Sequence, residues 1–301
     1  MDYRTRYVKF LKNRLKLKRP LRVVFDSSNG SSGPIIRALA ANQTRLTIQQ
    51  LNARPDGNFP AHGPDPSKPG ALNQLRRAVR KFKAECGIIF DADGDRVFFV
   101  DQRGRPINPE HTAMIISKNL KGPVVLDERL GYAARDQFKK QKHLIVSSRT
   151  GHTFIKKEMR KSRAVFGAEP SGHYYFKSFF SADAGIFAAL QFLNALTRLG
   201  QPLLDWLDGQ PQYFRSGEIN FKVPDKVKVI RRLEMAFRRS ARRISKLDGL
   251  RMEFETKTGR FWFGVRASNT EDLLRLNIEA DEKNLLAQKL KRLTALIRAS
   301  K

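Results

Sequence analysis

Of 301 residues only one, Cys86, is a cysteine, so an intrachain disulfide and a cysteine-built structural zinc site are both excluded. A lone thiol suits a reducing compartment, and the expected location is the cytoplasm. Long apolar runs are missing too. The first twenty residues, "MDYRTRYVKFLKNRLKLKRP", hold no apolar stretch of leader length, and no uncharged run is long enough to span a bilayer. Acidic residues are scarce, at 29 against 58 Lys and Arg, giving a net charge of +29. The excess is not a tail. Basic and acidic residues number 20 and 9 over 1–104, 16 and 9 over 105–212, and 22 and 11 over 213–301. Such a field attracts any polyanion without choosing one. With 41% hydrophobic and 10% aromatic residues, disorder is excluded and two or three folded domains are expected.

The apolar pattern predicts two successive three-layer α/β/α domains with mixed sheets, over 1–104 and 105–212, then a smaller α+β domain over 213–301. Strand runs such as "LRVVF" (21–25), "GIIF" (87–90), "PVVLD" (123–127) and "AVFGAE" (164–169) alternate with helical spacing. The last third opens with strands in hairpins. In "LLRLNIEA", Leu274, Leu276 and Ile278 share one face and Arg275, Asn277 and Glu279 the other, as for a half-covered sheet. Residues 228–247, "KVIRRLEMAFRRSARRISKL", read as one amphipathic helix. Its apolar face holds Ile230, Leu233, Phe237, Ala241 and Ile244, and its basic face Arg231, Arg232, Arg238, Arg239, Arg242, Arg243 and Lys246. A solvated helix face and a nucleic-acid contact are both open for it.

Three loops carry chemistry. "GIIFDADGDR" delivers Asp91, Asp93 and Asp95 from the end of a strand, where open α/β sheets place ligands. Period two puts the carboxylates on one side, and Gly94 lets them converge. Packed so closely they repel, and their pKa values rise unless a cation sits among them; a hard divalent ion, Mg²⁺ above others, suits them. An EF-hand is excluded, because Arg96 and Gln102 stand where it needs Gly and Glu. A haloacid-dehalogenase-type nucleophile at Asp91 stays as an alternative. "FGAEPSGHYYF" sets Glu169, Ser171 and His173 at alternate positions, a donor and acceptor mix suited to sugar hydroxyls. "VRASNTEDLLR" clusters Arg266, Ser268, Asn269 and Thr270 in a turn able to wrap a phosphate.

In this order the three loops resemble those of the α-D-phosphohexomutases, phosphomannomutase/phosphoglucomutase branch. "DADGDR" is similar to that family's magnesium loop, "AEPSGH" to its sugar loop and "RASNTE" to its phosphate loop; "DGNFPAHGPDPSKP" and "TGHTFIKKEM" match as well. Asn269 favours this branch over the phosphoglucosamine mutases. The resemblance covers domains two to four. No counterpart of the family's T-A-S-H-N-P-like phosphoserine loop occurs. It implies that Asp91, Asp93 and Asp95 hold Mg²⁺, that Arg96 adds positive charge beside it, and that His152 is an acid/base candidate. It also implies that Glu169, Ser171 and His173 hold the sugar, and that Arg266, Ser268, Asn269 and Thr270 grip the phosphate not being transferred.

Three positions depart from the family pattern. Arg129 stands where the family usually has lysine; since a guanidinium keeps its proton, this points to a charge role. Asp272 replaces a proline, and Ala168 a glycine. The expected ligands are hexose phosphate and hexose bisphosphate. The expected activity is Mg-dependent intramolecular phosphoryl transfer that needs a phosphoserine domain supplied elsewhere. Two alternatives are phosphosugar binding without turnover, and nucleic-acid binding on a mutase scaffold.

Overall fold

The computed structural model describes residues 2–41, 43–268 and 271–299. The first unit runs α1 (Tyr3–Arg14), β1 (Leu21–Asp26), α2 (Ser32–Ala40), β2 (Leu46–Leu51), α3 (Asn73–Phe82), β3 (Cys86–Phe90), β4 (Val97–Asp101) and β5 (Pro106–Ile107). Its sheet order is β2-β1-β3-β4-β5. β1 pairs parallel with β2 and β3, and β4 turns back antiparallel, so the sheet is mixed. All five residues of β3 are buried between helices on both faces, so the chain first meets solvent in the loop that follows. That loop holds the aspartates.

The second unit runs α4 (Pro109–Ser117), β6 (Val124–Asp127), α5 (Tyr132–Lys140), β7 (Ile145–Ser148), α6 (His152–Ser162), β8 (Phe166–Ala168), β9 (Tyr174–Phe176), β10 (Ala182–Asp183), α7 (Gly185–Leu196) and α8 (Leu203–Asp208). Asn108 caps α4 by accepting from Glu110 N, with Pro109 in the first turn, where its missing N–H costs nothing. The sheet order is β10-β9-β8-β6-β7. α7 is apolar nearly all round, because it packs against α1 and the first sheet on one side and α4 and β9 on the other. One continuous hydrophobic core therefore joins the first two units, with the Phe99 and Phe192 ring centroids 4.2 Å apart, tilted by 31°.

The third unit runs β11 (Phe214–Arg215), β12 (Ile219–Phe221), α9 (Lys226–Phe237), β13 (Arg243–Ser245), β14 (Leu250–Thr256), β15 (Gly259–Ala267), β16 (Leu274–Ala280) and α10 (Lys283–Arg298). Its antiparallel sheet has the order β11-β16-β15-β14-β13, with β12 also paired to β16. The two faces of "LLRLNIEA" alternate as expected, with Leu274, Leu276 and Ile278 entering a core separate from the first. The sheet is not half-covered, however: Glu279 on the other face is fully buried, accepting from Tyr132 N of the second unit.

The single helix expected over 228–247 is not formed. α9 ends at Phe237, and Arg243–Ser245 pairs as a strand with Glu253–Arg251. Backbone pairing to β14 takes the place of the last helical turns, accompanied by Arg243 lying 3.1 Å from Glu253 and Arg242 pairing with Glu255. Arg231 and Arg232 stay on the helix, whereas Arg242 and Arg243 do not, so the continuous basic face is lost. No helix among the described residues is long and apolar enough to cross a membrane.

Candidate functional site

Asp91 is 3% exposed and organises its own loop. Its Oδ1 accepts from Gly94 N (3.1 Å) and Arg96 N (3.2 Å), and its Oδ2 from Arg96 Nε (2.6 Å). The turn needs φ +79° at residue 94, which glycine adopts without strain. One oxygen each of Asp91, Asp93 and Asp95 then lies within 4.8 Å of the others. The same spacing joins Asp95, His173 and Asp183.

The expected rise in carboxylate pKa is found at Asp91 but not at Asp95. Burial pushes Asp91 up, with Asp95 adding to it against the pull of Arg96. Asp95 is instead held below the usual carboxylate range, chiefly by its bond to His173. The cause is positive charge that the chain itself brings to the loop. Arg96 also reaches Asp65 at 3.3 Å, and His173 Nε2 lies 3.5 Å from Asp95 Oδ2.

The second loop is wired directly to the first. Val97 N donates to Gly172 O at 3.1 Å, and residues 96 and 173 form a bridge between the two sheets. Gly172 has φ +90°, and a Cβ there would lie 2.9 Å from the Phe98 ring, so the approach requires glycine. Glu169, 4% exposed, accepts from Tyr175 OH and from Ser171 Oγ (3.2 Å), and Ser171 Oγ lies 2.9 Å from His173 Nδ1. Burial raises the Glu169 pKa despite the Tyr175 bond. Burial also works against protonation of His173, but Asp95, Glu169 and Asp183 outweigh it and leave its pKa raised. Arg129 pairs with Asp127 (2.8 Å) and lies 3.7 Å from Glu169. Asp91, Asp93, Asp95, Arg96, His173, Ser171, Glu169 and Arg129 thus form one contiguous polar wall.

Arg266 lies at the end of β15, and a cleft between the second and third units is lined by both Arg129 and Arg266. Its Nε is buried without an acceptor. Ser268 Oγ accepts from Glu271 N at 3.2 Å, forming the start of the turn. Asn269 and Thr270 lie outside the described residues. A neighbouring cavity of about 250 Å³ brings Arg129, Ser171 and Glu218 together beneath Trp262 and Asn277. His152 stands apart: it is exposed in the first turn of α6, and among the described residues no hydrogen bond or ion pair ties it to the loops.

The three-unit order, the two wired loops and the arginine turn correspond to matches along the whole chain. Models for phosphoglucomutase/phosphomannomutase match three times: alpha/beta/alpha domain II at 5–104, alpha/beta/alpha domain III at 108–214 and the C-terminal domain at 218–296. The chain belongs to the phosphoglucomutase/phosphomannomutase family. It is 33% identical over 296 residues to a phosphomannomutase of Methanocaldococcus jannaschii, covering 97% of this chain and 64% of that one. Against an Escherichia coli phosphomannomutase it is 35% identical over 297 residues, covering 93% and 63%. It therefore spans less than two thirds of either relative.

A phosphoglucomutase/phosphomannomutase family protein of Burkholderia thailandensis has a similar structure, with TM-score 0.87 at 28% identity over 99% of this chain and 65% of that one. An Aspergillus fumigatus N-acetylphosphoglucosamine mutase, solved with GlcNAc-6P and magnesium, shares the fold with TM-score 0.71 at 16% identity, covering 99% and 65%.

Sequence reasoning missed several residues of the site. Asp65 lies in the quoted loop "DGNFPAHGPDPSKPG", and its rigid prolines could have marked it as a fixed contact for Arg96. Asp127, Asp183 and Glu218 carry no local motif; they reach the site only through sheet order and the packing of the third unit.

Proposed function

We propose that this chain is the metal- and substrate-binding part of a phosphohexomutase. It would act on hexose phosphates and hexose bisphosphates, with the phosphoryl-carrying serine supplied outside residues 1–301. The observation that carries this reading is the unbroken polar path Asp95–His173–Ser171–Glu169, which joins the aspartate loop and the sugar loop into one wall. The relative solved with GlcNAc-6P and magnesium makes the pairing of these ligands chemically concrete.

Three convergent carboxylates are hard oxygen donors, and Asp91 Oδ2 has a lone pair left beyond its Arg96 bond, so the loop fits Mg²⁺. The ion would supply charge neutralisation at the transferring phosphoryl group. The chain's own residues do the rest. Arg96, fixed by Asp91 and Asp65, presents positive charge beside that group. Glu169, Ser171 and His173 offer an acceptor, a hydroxyl and an imidazole to vicinal sugar hydroxyls in either orientation of the sugar. Arg129, permanently charged and on the same wall, would counter phosphate charge during the change of orientation. Arg266, Ser268, Asn269 and Thr270 grip the phosphate that stays behind. His152 serves as an acid/base only if the sugar loop and α6 approach each other. On this reading the chain binds phosphosugar but does not turn over alone, and it works in the cytoplasm.

The test is calorimetric titration of glucose 1,6-bisphosphate with Mg²⁺ into the protein and into Arg266→Ala, at salt high enough to screen loose attraction to a +29 chain. Saturable binding weakened at least tenfold by the substitution is expected. Absent binding, or binding indifferent to Arg266, would overturn the reading.

A further inference from the structure

Arg266 and Arg275 stand directly opposite each other in the β15–β16 ladder, so their side chains share a face. Two like charges in that relation repel and need a counter-charge. Glu218, just before β12, supplies it: its Oε1 lies 3.1 Å from Arg275 Nη1 and its Oε2 4.0 Å from Arg266 Nη2. Arg275 continues to Glu271, 2.6 Å away in the phosphate turn. Glu218 and Glu271 together do not satisfy this pair. The Nε atoms of both arginines are also buried without an acceptor, so their hydrogen-bonding capacity is not met within the chain. Glu218 also lines the cavity that holds Arg129 and Ser171, which puts it between the sugar loop and the phosphate turn.

We infer that Glu218 is a specificity-determining residue: it is a built-in anion that competes with free phosphate for Arg266 and yields only to a phosphate carried by a sugar. The physical reason is a difference between ligands. A phosphate arriving at Arg266 must push Glu218 fully onto Arg275 and accept a carboxylate as neighbour. Inorganic phosphate has nothing further to gain. A hexose phosphate recovers the loss through Glu169, Ser171 and His173, which bind its hydroxyls. Opposing the wrong ligand is as effective for discrimination as attracting the right one. A unit charge a few ångströms away in a half-buried site is worth more than a factor of ten in affinity, which sets the scale of the effect.

For the identity of the favoured ligand this inference rests on the function proposed above. It is tested by titrating inorganic phosphate and glucose 1,6-bisphosphate separately into the wild type, Glu218→Gln and the double variant Glu218→Gln/Arg266→Ala. Glu218→Gln should bind inorganic phosphate at least tenfold more tightly than the wild type. Its preference for the bisphosphate over phosphate should shrink, and the double variant should lose the gain. Unchanged or weaker phosphate binding by a folded Glu218→Gln would overturn the inference, even with bisphosphate binding intact in the wild type. Wild type that ignores the bisphosphate, beside a Glu218→Gln that gains phosphate binding through Arg266, would sink the proposed function while leaving the competing carboxylate standing. Should Glu218→Gln fail to fold, Arg275→Gln gives the converse reading. Glu218 then turns wholly to Arg266, phosphate affinity should fall, and an unchanged affinity would overturn the inference.

Discussion

The two joints of this molecule are built from opposite materials. Between the first and second units the contact is apolar: α7 inserts Phe187 and Phe192 among side chains of α1, β4 and β9, and a single core runs through both sheets. The joint between the second and third units is polar. Arg251, 2% exposed, donates to the carbonyls of Glu128 (2.5 Å) and Leu130 (3.1 Å) while lying 3.8 Å over the Trp262 ring. Arg215 bridges Glu110 (2.7 Å) and Glu279 (2.6 Å), and Glu279 accepts from Tyr132 N. Arg260 pairs with Asp136, and Asp248 accepts from Thr150. An apolar joint separates only by exposing area to water, whereas a polar one can exchange its partners for water at small net cost. The difference assigns jobs. The aspartate loop and the Glu169–His173 loop, wired across the apolar joint, are held in one fixed relation, whereas the third unit is fixed to the second mainly by ion pairs and hydrogen bonds.

The strongest way to break that contrast is to hollow the apolar joint. Phe192 is fully buried against Phe99, and Phe192→Ala should cost about 3–5 kcal/mol. If the core is shared, urea unfolding followed by probes in the first and second units should shift to lower midpoint together. A shift confined to one unit would show that the two fold separately and that the loops are aligned only by their own hydrogen bonds.

Next in size is the polar joint. Arg251→Ala removes two hydrogen bonds to buried carbonyls and a stacked cation, and should cost about 2–3 kcal/mol. The expected signature differs from that of Phe192→Ala. The third unit should loosen first, seen as faster amide exchange at Glu128–Leu130 and in β14, with the aspartate loop unaffected. Equal loss of protection in all three units would erase the distinction between the joints.

What the sequence disclosed follows the same division. Strands of β-branched and aromatic residues alternating with helices, and three loops dense in unusual polar groups, are local signals; they located the units, Asp91, Asp93 and Asp95, and the Glu169–His173 loop. The break in α9 is not local. Apolar spacing continues past Phe237 to Ala241 and Ile244, but the chain there pairs with β14, Arg243–Ser245 as a strand and Arg242 through its backbone N–H to Glu253 O. α1 was equally obscure, since its buried Val8 and Leu11 are interleaved with lysine and arginine, and it needs α7 to pack against. Glu218 and Asp183 have no neighbouring motif at all. Residues whose role comes from another element's charge are the ones a one-dimensional pattern passes over.

The smallest effect concerns how tightly the first unit fixes its own loops. His62 Nε2 lies 3.2 Å from Asp26 Oδ2, and Asp26 is fully buried, also accepting from Ser28 N and Asn52 Nδ2. The bond to Asp26 raises the His62 pKa against the effect of burial. A histidine raised in the folded state stabilises fully below its unfolded pKa, near 6.5, and loses that contribution as pH rises through the folded value. Stability of the wild type should therefore decline as pH climbs from about 6 through that raised value, and His62→Gln should flatten the decline. Measured by urea midpoints at a series of pH values, an unaltered slope in His62→Gln would assign the pH dependence elsewhere. A flattened slope would mean that the loop carrying Asp65, and through it Arg96, is pinned to the first sheet by a charge that rising pH releases. The rigid side of the site would then carry one adjustable pin of its own.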